Sequence, residues 1–549
     1  MRPLNRLGNQ KDLLLALFIF ICGFALYFAT SLPVGVILGG SDEADIVAPA
    51  MVAEERGTIL YREELNSEYS TYWFRMPGYY SNPDGEMYPR GFIGVPLIFT
   101  PLYFMLGNIA INVFNSFFGA IAAVFLFLIC KDILRSRAIA LTVSLVFVFS
   151  AFVWLQSVYL FPELVGLATL LMSVYFLIKS RRGQDRRYLV LAGLIMSVAV
   201  LCRLFNILLI IPAILYLFYG KNWKGACVLG AVVCLSIIPQ LIFNQQTNGN
   251  LFAFSYFTGD YDPYGIPSPH DPFQYAEDAN SGNVVSYFVS QFLIPKDGGT
   301  WYWFHIRTMP ALLFKLSPLF ILLPIGIVYA IRQNKGLVFL ILLTLLLYFY
   351  IFGNMDYYYG MNELAVRSSY VRYMLLPLTA LLVISGSALD LLRRVTSRIP
   401  LLLSVFLMAI IVATPLATTR QSETHYYLYM YDECYKHSWM QTRSSILSQT
   451  ESNAVIFCTI DETSLAGERQ LFYYINIPEP TYSEEIESVA TELLNNGVPV
   501  YVYRVKEYSK WDPVTPRGGQ VHDFSSDRVE VTEMSLPSPI YELLKLSLR

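Results

Sequence analysis

Charge is scarce in this sequence. Only 15% of its 549 residues are Asp, Glu, Lys or Arg, against about 25% in an ordinary soluble domain. Hydrophobic residues make up 55%, and a water-soluble fold has no interior large enough to hide them. The same composition excludes disorder. Cysteine is sparse too, and seven in a chain of this length do not make a disulfide scaffold. The five histidines, at 270, 305, 425, 437 and 522, have no neighbour at the HxxxH or CxxC spacing of a zinc site. A net charge of −3 offers nucleic acid no basic field. No internal repeat, low-complexity tract or lipidation signal is present. The class that remains is a polytopic membrane protein.

What the sequence has instead is long apolar runs. A helical span takes about 20 mostly apolar residues. Runs near 13–37, 109–129, 138–157, 161–178, 188–203, 205–219, 225–243, 310–331, 337–353, 373–392 and 399–416 predict a mainly α bundle of about eleven spans. The connections orient it. Arg2, Arg6 and Lys11 precede the first span, and Lys131, Arg135 and Arg137 follow the second. Lys179, Arg181, Arg182, Arg186 and Arg187 follow the fourth, and every later even-numbered exit is basic as well. By the positive-inside rule the N-terminus is cytoplasmic, the C-terminal part is extracytoplasmic, and the chain is a multi-pass protein of the cell membrane. The run at 13–37 is too long for a signal peptide and lacks a clean small-residue cleavage site, so it reads as the first span. Counting Gly91–Gly107 as a span would invert every later loop. With Pro96 and Pro101 inside it, that segment reads as a broken or interfacial helix on the outer face.

Two domains follow: a membrane domain at 1–416, with external loops at 38–108, 244–309 and 354–372, and an extracytoplasmic α/β domain at 417–549. The second carries 19 acidic against 11 basic residues, which suits solvation. Ala454–Ile460 and Val498–Val505 read as buried strands, and Glu484–Leu494 as an amphipathic helix stopped by Asn496-Gly497. Cys434 and Cys458 lie in this part and could pair, or could be ordinary core residues.

Acids at the outer ends of helices are candidates for chemistry, because ionisable groups near hydrocarbon are costly. Asp42 and Glu43 stand where the chain leaves the first span, and the following residues Ile46, Val47, Ala50 and Met51 have helical spacing. That helix is expected to lie on the membrane surface and to hold Asp42 against apolar groups, which suits a general base. The same acids also fit a helix N-terminus, where the dipole favours them. Glu163, after Pro162, is either a first-turn acid or a second acid of the same site. The outer-face cations include Arg90, Arg203, Arg307, Arg367 and Arg372. Each is either a phosphate ligand, bound through the guanidinium fork, or a snorkelling interfacial arginine. Aromatics are dense at Tyr256, Tyr261, Tyr264, Trp301–Trp303 and Tyr357–Tyr359, and read as interfacial belt or sugar platforms.

The run SDEADIVAPAMVAEERGTILY at 41–61 resembles the acidic first external loop of the GT-C superfamily of polyprenyl-phosphate-sugar glycosyltransferases. The likeness is to the branch holding protein O-mannosyltransferases and the lipid A aminoarabinose transferase. YPRGFIGVPL at 88–97, LFPE at 160–163, LAGLIMSVAVLCR at 191–203, FNQQTNGNLFAFSY at 243–256 and RYMLLP at 372–377 add to it. The resemblance implies an external active site and a polyprenyl-phosphate sugar donor, such as one carrying a mannose-like hexose. It implies an acceptor hydroxyl on a glycan, lipid or protein, and inversion at the sugar. Carried over by position, Asp42 matches the catalytic base, with Glu43 beside it. Arg90 matches a donor-phosphate contact, Arg372 the arginine opening a late span, and Glu163 an acid of the second external turn. Arg203 joins the two arginines as a phosphate ligand. The WWDxG motif of oligosaccharyltransferases is absent, so transfer of a whole oligosaccharide to asparagine is not expected. No cofactor is implied with certainty. Asp42 and Glu163 could share a divalent cation, although no ligand spacing supports one. The alternatives are a transporter or flippase of lipid-linked substrates, and a membrane anchor whose tail binds a partner.

Overall fold

The computed structural model describes residues 2–32, 41–69, 74, 78–81, 85–89, 91–183, 186–251, 313, 317–333, 335–355, 372–395, 437–458, 465, 468–473, 483–505, 524, 528–537 and 541–549. Arg90, Arg307, Arg367, Cys434, the span expected at 399–416 and the aromatic positions from Tyr256 to Tyr359 lie outside the described residues.

The apolar runs form helices. Five are long and apolar enough to cross a membrane among the described residues: α1 (Arg2–Ser31), α5 (Ile109–Leu134), α8 (Pro162–Gly183), α11 (Trp223–Asn248) and α14 (Leu375–Val395). The protein is a multi-pass membrane protein. Leu13 and Leu14 on α1 are 70% and 64% exposed, a surface that hydrocarbon accepts and water does not. Between these lie α9 (Arg186–Cys202), α10 (Ile210–Tyr219), α12 (Leu323–Gln333) and α13 (Lys335–Met355). α8 packs on α9, α9 on α11, and α1 and α8 on α5.

Several expectations are corrected in detail. The third predicted span is a pair, α6 (Arg137–Phe149) and α7 (Ala151–Val158), bent by more than 40°. Ser150 between them is extended, and its hydroxyl donates to Phe147 O (2.6 Å) instead of continuing the helix. The sixth begins as a 3₁₀ turn, Leu204–Leu209, before α10. Of the two readings of Gly91–Gly107, a broken or an interfacial helix, the structure departs from the first. The segment forms one helix, α4 (Gly94–Leu106), whose thirteen residues span about 20 Å, too short for the hydrocarbon core. Pro96 falls in the first turn, where no amide bond is lost, so Pro101 alone interrupts the ladder.

α2 (Ser41–Arg56) is packed inside the protein over most of its length, with Glu43 to Ala50 all buried. Ile46, Val47 and Ala50 pack with Val95, Phe99 and Tyr103 of α4. Ala48 and Val52 pack instead with Tyr61, Tyr79 and Met87, which belong to a small antiparallel sheet, β1 (Tyr61–Arg62), β2 (Tyr79–Ser81) and β3 (Glu86–Pro89), ordered β1-β3-β2. A short helix, α3 (Glu64–Glu68), separates β1 from β2.

Ion pairs fix one end of the bundle. The Asp12 carboxylate of α1 meets Lys131 Nζ (2.9 Å) and Arg137 Nε, and Lys179 of α8 meets Asp132 (3.1 Å). The basic connections after α5 and α8 therefore share one end. Residue 163 of α8 stands sixteen residues from Lys179, about 24 Å away along the axis, at the other end.

The C-terminal part holds α15 (His437–Gln449), α16 (Ser483–Asn495) and a five-stranded mixed sheet. Its strands, β4 (Val455–Cys458), β5 (Gln470–Tyr473), β6 (Val500–Val505), β7 (Val529–Met534) and β8 (Tyr541–Leu548), run in the order β5-β4-β6-β8-β7. β4 is parallel to β5 and β6, whereas β8 pairs antiparallel with β6 and β7. The two strands and the helix expected from sequence are present, with Gly497 at φ +74° ending α16. Cys458 is buried in β4.

Candidate functional site

The end of the bundle opposite the basic connections gathers charges that the sequence keeps far apart. Its foundation is the turn between α7 and α8. Asn115 of α5 donates its side-chain amide to the carbonyls of Gln156 (3.2 Å), Phe161 (3.1 Å) and Tyr159. From the other side the Leu160 N–H donates to Glu43 Oε1 (3.0 Å). Glu43 is 3% exposed, and its carboxylate staples α2 to this turn. That is a structural contact for a residue expected to be catalytic.

With the turn fixed, Pro162 starts α8 and Glu163 sits in its first turn, 6% exposed. Glu163 Oε1 lies 2.5 Å from Arg203 Nη1 and 3.8 Å from Arg372 Nη1. Arg203 follows the last turn of α9, and Arg372 precedes α14. Each guanidinium also covers an aromatic ring, Arg203 over Tyr373 at 4.3 Å and Arg372 over Phe161 at 4.4 Å. Such stacking holds the planar groups in fixed orientation and is worth about 0.5–2 kcal/mol. One carboxylate against two guanidiniums leaves this trio with a net positive charge, in surroundings mostly closed to water. Guanidiniums held in this way have the fork geometry that binds phosphate, and Asp45 brings a further carboxylate to the same end of the bundle.

Beside the trio is a cleft of ≈ 520 Å³, counting its open mouth. Asp45, Gly91, Phe92, Pro162, Arg203 and Phe205 line it. Two close approaches shape it. Gly78, at φ +82°, rests on the α2 backbone, where a Cβ would fall 2.7 Å from Ala44 C and 2.8 Å from Asp45 N. A side chain there would force α2 away. Gly94 touches the end of α9 in the same way, since its Cβ would lie 2.5 Å from Cys202 N. The Ile93 N–H donates to Gln240 Oε1 of α11 (3.2 Å), holding the start of α4 in place.

Of the residues chosen from sequence, Glu163, Arg203 and Arg372 come together, and Glu43 anchors the turn beneath them. Asp42 is the second residue of α2, and its side chain lies outside the described residues, as does Arg90. Asp45 was not among the chosen acids, yet it lines the cleft. A signal was available, since it falls one helical turn after Asp42 in the same acidic run. No group of three metal-ligating side chains occurs among the described residues.

Comparison with known proteins adds to this geometry. The family model described as dolichyl-phosphate-mannose-protein mannosyltransferase matches residues 98–243. ArnT from Cupriavidus metallidurans, bound to undecaprenyl phosphate, shares the fold with a TM-score of 0.58 at 10% identity, over 98% of each chain. The archaeal oligosaccharyltransferase AglB from Archaeoglobus fulgidus, in complex with an inhibitory peptide and a dolichol-phosphate, aligns with a TM-score of 0.52 at 13% identity. That alignment covers 91% of this chain and 70% of AglB. No curated protein matches by sequence. The matched family and both neighbours are glycosyltransferases of the GT-C type, the superfamily that the sequence resembles, and the chain has their fold.

Proposed function

We propose that this chain, as a GT-C-type membrane glycosyltransferase, moves one sugar from a polyprenyl phosphate to an acceptor hydroxyl. The observation that carries the reading is the cluster of Glu163, Arg203 and Arg372 beside the cleft at one end of the bundle. The undecaprenyl phosphate of the ArnT structure supports a lipid phosphate as the anion. In this reading Arg203 and Arg372, with Arg90, bind the donor phosphate and stabilise the charge that grows on it. Asp42 takes the proton of the acceptor hydroxyl, whose oxygen attacks the anomeric carbon. The bond from that carbon to the phosphate oxygen breaks, the phosphate leaves with the electron pair, and the sugar inverts. General-base help of this kind contributes about 10²–10⁴-fold. The WWDxG motif is absent, so a single sugar, a mannose-like hexose, is the proposed cargo. A glycan, lipid or protein serves as acceptor.

The basic connections lie at the end away from the cluster. The positive-inside rule then assigns the site, and with it the α/β domain of 417–549, to the extracytoplasmic side.

The test is Asp42→Asn in purified membranes, scored for release of polyprenyl phosphate and for lipid binding. The expected result is unchanged binding with turnover down by at least a hundredfold. Normal sugar transfer by this variant would remove Asp42 from the mechanism.

A further inference from the structure

We propose that Asp45 selects the sugar: its carboxylate accepts hydrogen bonds from ring hydroxyls of the saccharide carried on the donor phosphate. This rests on the function proposed above and deepens it.

Among the described residues, the cleft lining holds one carboxylate and one guanidinium, together with the rings of Phe92 and Phe205. Those are the complements of a sugar phosphate, which presents hydroxyl donors, an anion and apolar ring faces. Arg203 suits the phosphate. A carboxylate repels phosphate, so Asp45 must face the part of the donor rich in O–H groups. Asp45 is 7% exposed and sits within α2, whose backbone is pinned by Gly78. Its position is therefore fixed before any ligand arrives, which favours discrimination over mere adhesion. Gly91 supplies the second observation. A Cβ built there would stand 3.5 Å from Asp45 Cβ and 3.7 Å from its Oδ2. Gly91 therefore packs beside the carboxylate, and a methyl group there would come into ordinary van der Waals contact with it.

Asp45 and the proposed base have separable consequences. Losing a base slows the reaction and leaves donor binding alone. Losing a sugar contact weakens binding of the glycosylated lipid and leaves the bare lipid phosphate alone. A hydrogen bond to a charged group corresponds to roughly 10–150-fold in affinity.

The experiment measures binding of the full-length protein to undecaprenyl phosphate, and to undecaprenyl phosphates carrying mannose, glucose or galactose. The wild type is expected to bind at least one glycosylated lipid tenfold more tightly than the bare one. Asp45→Asn should abolish that gain while keeping the affinity for undecaprenyl phosphate. Gly91→Ala, whose methyl fits, should reduce the gain in the same way and separates this effect from misfolding. If Asp45→Asn keeps the gain, or loses turnover alone, the proposal is overturned. A wild type that binds undecaprenyl phosphate with no gain for any sugar overturns it too, leaving the glycosyltransferase reading in place. A wild type that binds no lipid phosphate at all defeats that reading itself.

Discussion

Phe74, in the segment after α3, forms an antiparallel bridge with Phe472 of β5, their rings edge-on with centroids 4.9 Å apart. The partners are almost four hundred residues apart in the chain. Phe74 is fully buried and shares a core with Val455, Phe457, Ile486 and Val502. Asn66 holds the local loop by donating to Phe74 O (2.8 Å) and accepting from its N–H (2.9 Å). Nearby, Asn496 donates to the Tyr69 hydroxyl (3.2 Å). The C-terminal sheet is thereby joined to the segment that leads, four residues on, to Gly78 and the α2 backbone.

Phe74→Ala should loosen this junction. Truncating a buried phenylalanine costs about 3–5 kcal/mol. The expected outcome is faster proteolytic release of the C-terminal part, with transfer activity falling in parallel because the support of α2 is weakened. Limited proteolysis followed by an activity assay on the same sample checks it. Retained activity after complete release would make the C-terminal sheet accessory.

Glu63 gives the junction a pH dependence. Burial pushes its carboxyl above the ordinary glutamate range, although the neighbouring Leu65 N–H, the Arg56 charge and the Gln470 side chain pull the other way. The folded state therefore holds the proton more tightly than the unfolded chain. Its stabilisation is full below the ordinary glutamate value of 4.5, and it is lost as pH rises through the raised value. Glu63→Gln should flatten this slope. Melting temperature in detergent from pH 4 to 8 is the measurement, and an equal slope in the variant would acquit Glu63.

Glu163→Gln removes the carboxylate that meets both Arg203 and Arg372. Breaking a buried ion pair from one side costs about 3–5 kcal/mol, so the melting temperature should drop. Added undecaprenyl phosphate should recover more stability in the variant than in the wild type, because the ligand supplies the missing anion. Equal lipid shifts in the two proteins would argue against phosphate at this cluster.

Gly94→Ala tests the seating of α4 on α9. The new methyl would fall within 2.5 Å of Cys202 N, backbone that cannot swing aside. Overpacking of this kind costs about 1–3 kcal/mol. The variant should melt lower and lose turnover, whereas Gly91→Ala, with ordinary contact distances, should melt like the wild type. Thermal melts of both variants side by side decide the matter.

Much of the site was legible residue by residue. Glu163, Arg203 and Arg372 were visible as rare ions at helix ends, because hydrocarbon makes such residues costly. The covering of α2 on a second face was not legible, for an equally physical reason. Its apolar spacing marks one greasy face, whereas the structure buries a second face under a small sheet. That sheet draws on strands of two to four residues, too short to leave a periodic signal. Asp45 was passed over because its place in the cleft depends on Gly91 and Arg203, which approach it only in three dimensions.

Sequence alone determined the class, the helical runs, the segregation of basic connections and the strand–helix–strand order of the C-terminal part. Each follows from local composition, since transfer of a segment to lipid depends on that segment's own side chains. Tertiary structure decided which ions meet, which acid anchors a turn and which lines the cleft. It also decided that a loop near residue 74 completes a core begun near residue 455. Those outcomes depend on contacts between helix ends hundreds of residues apart, and no window of the sequence encodes a distance across the bundle.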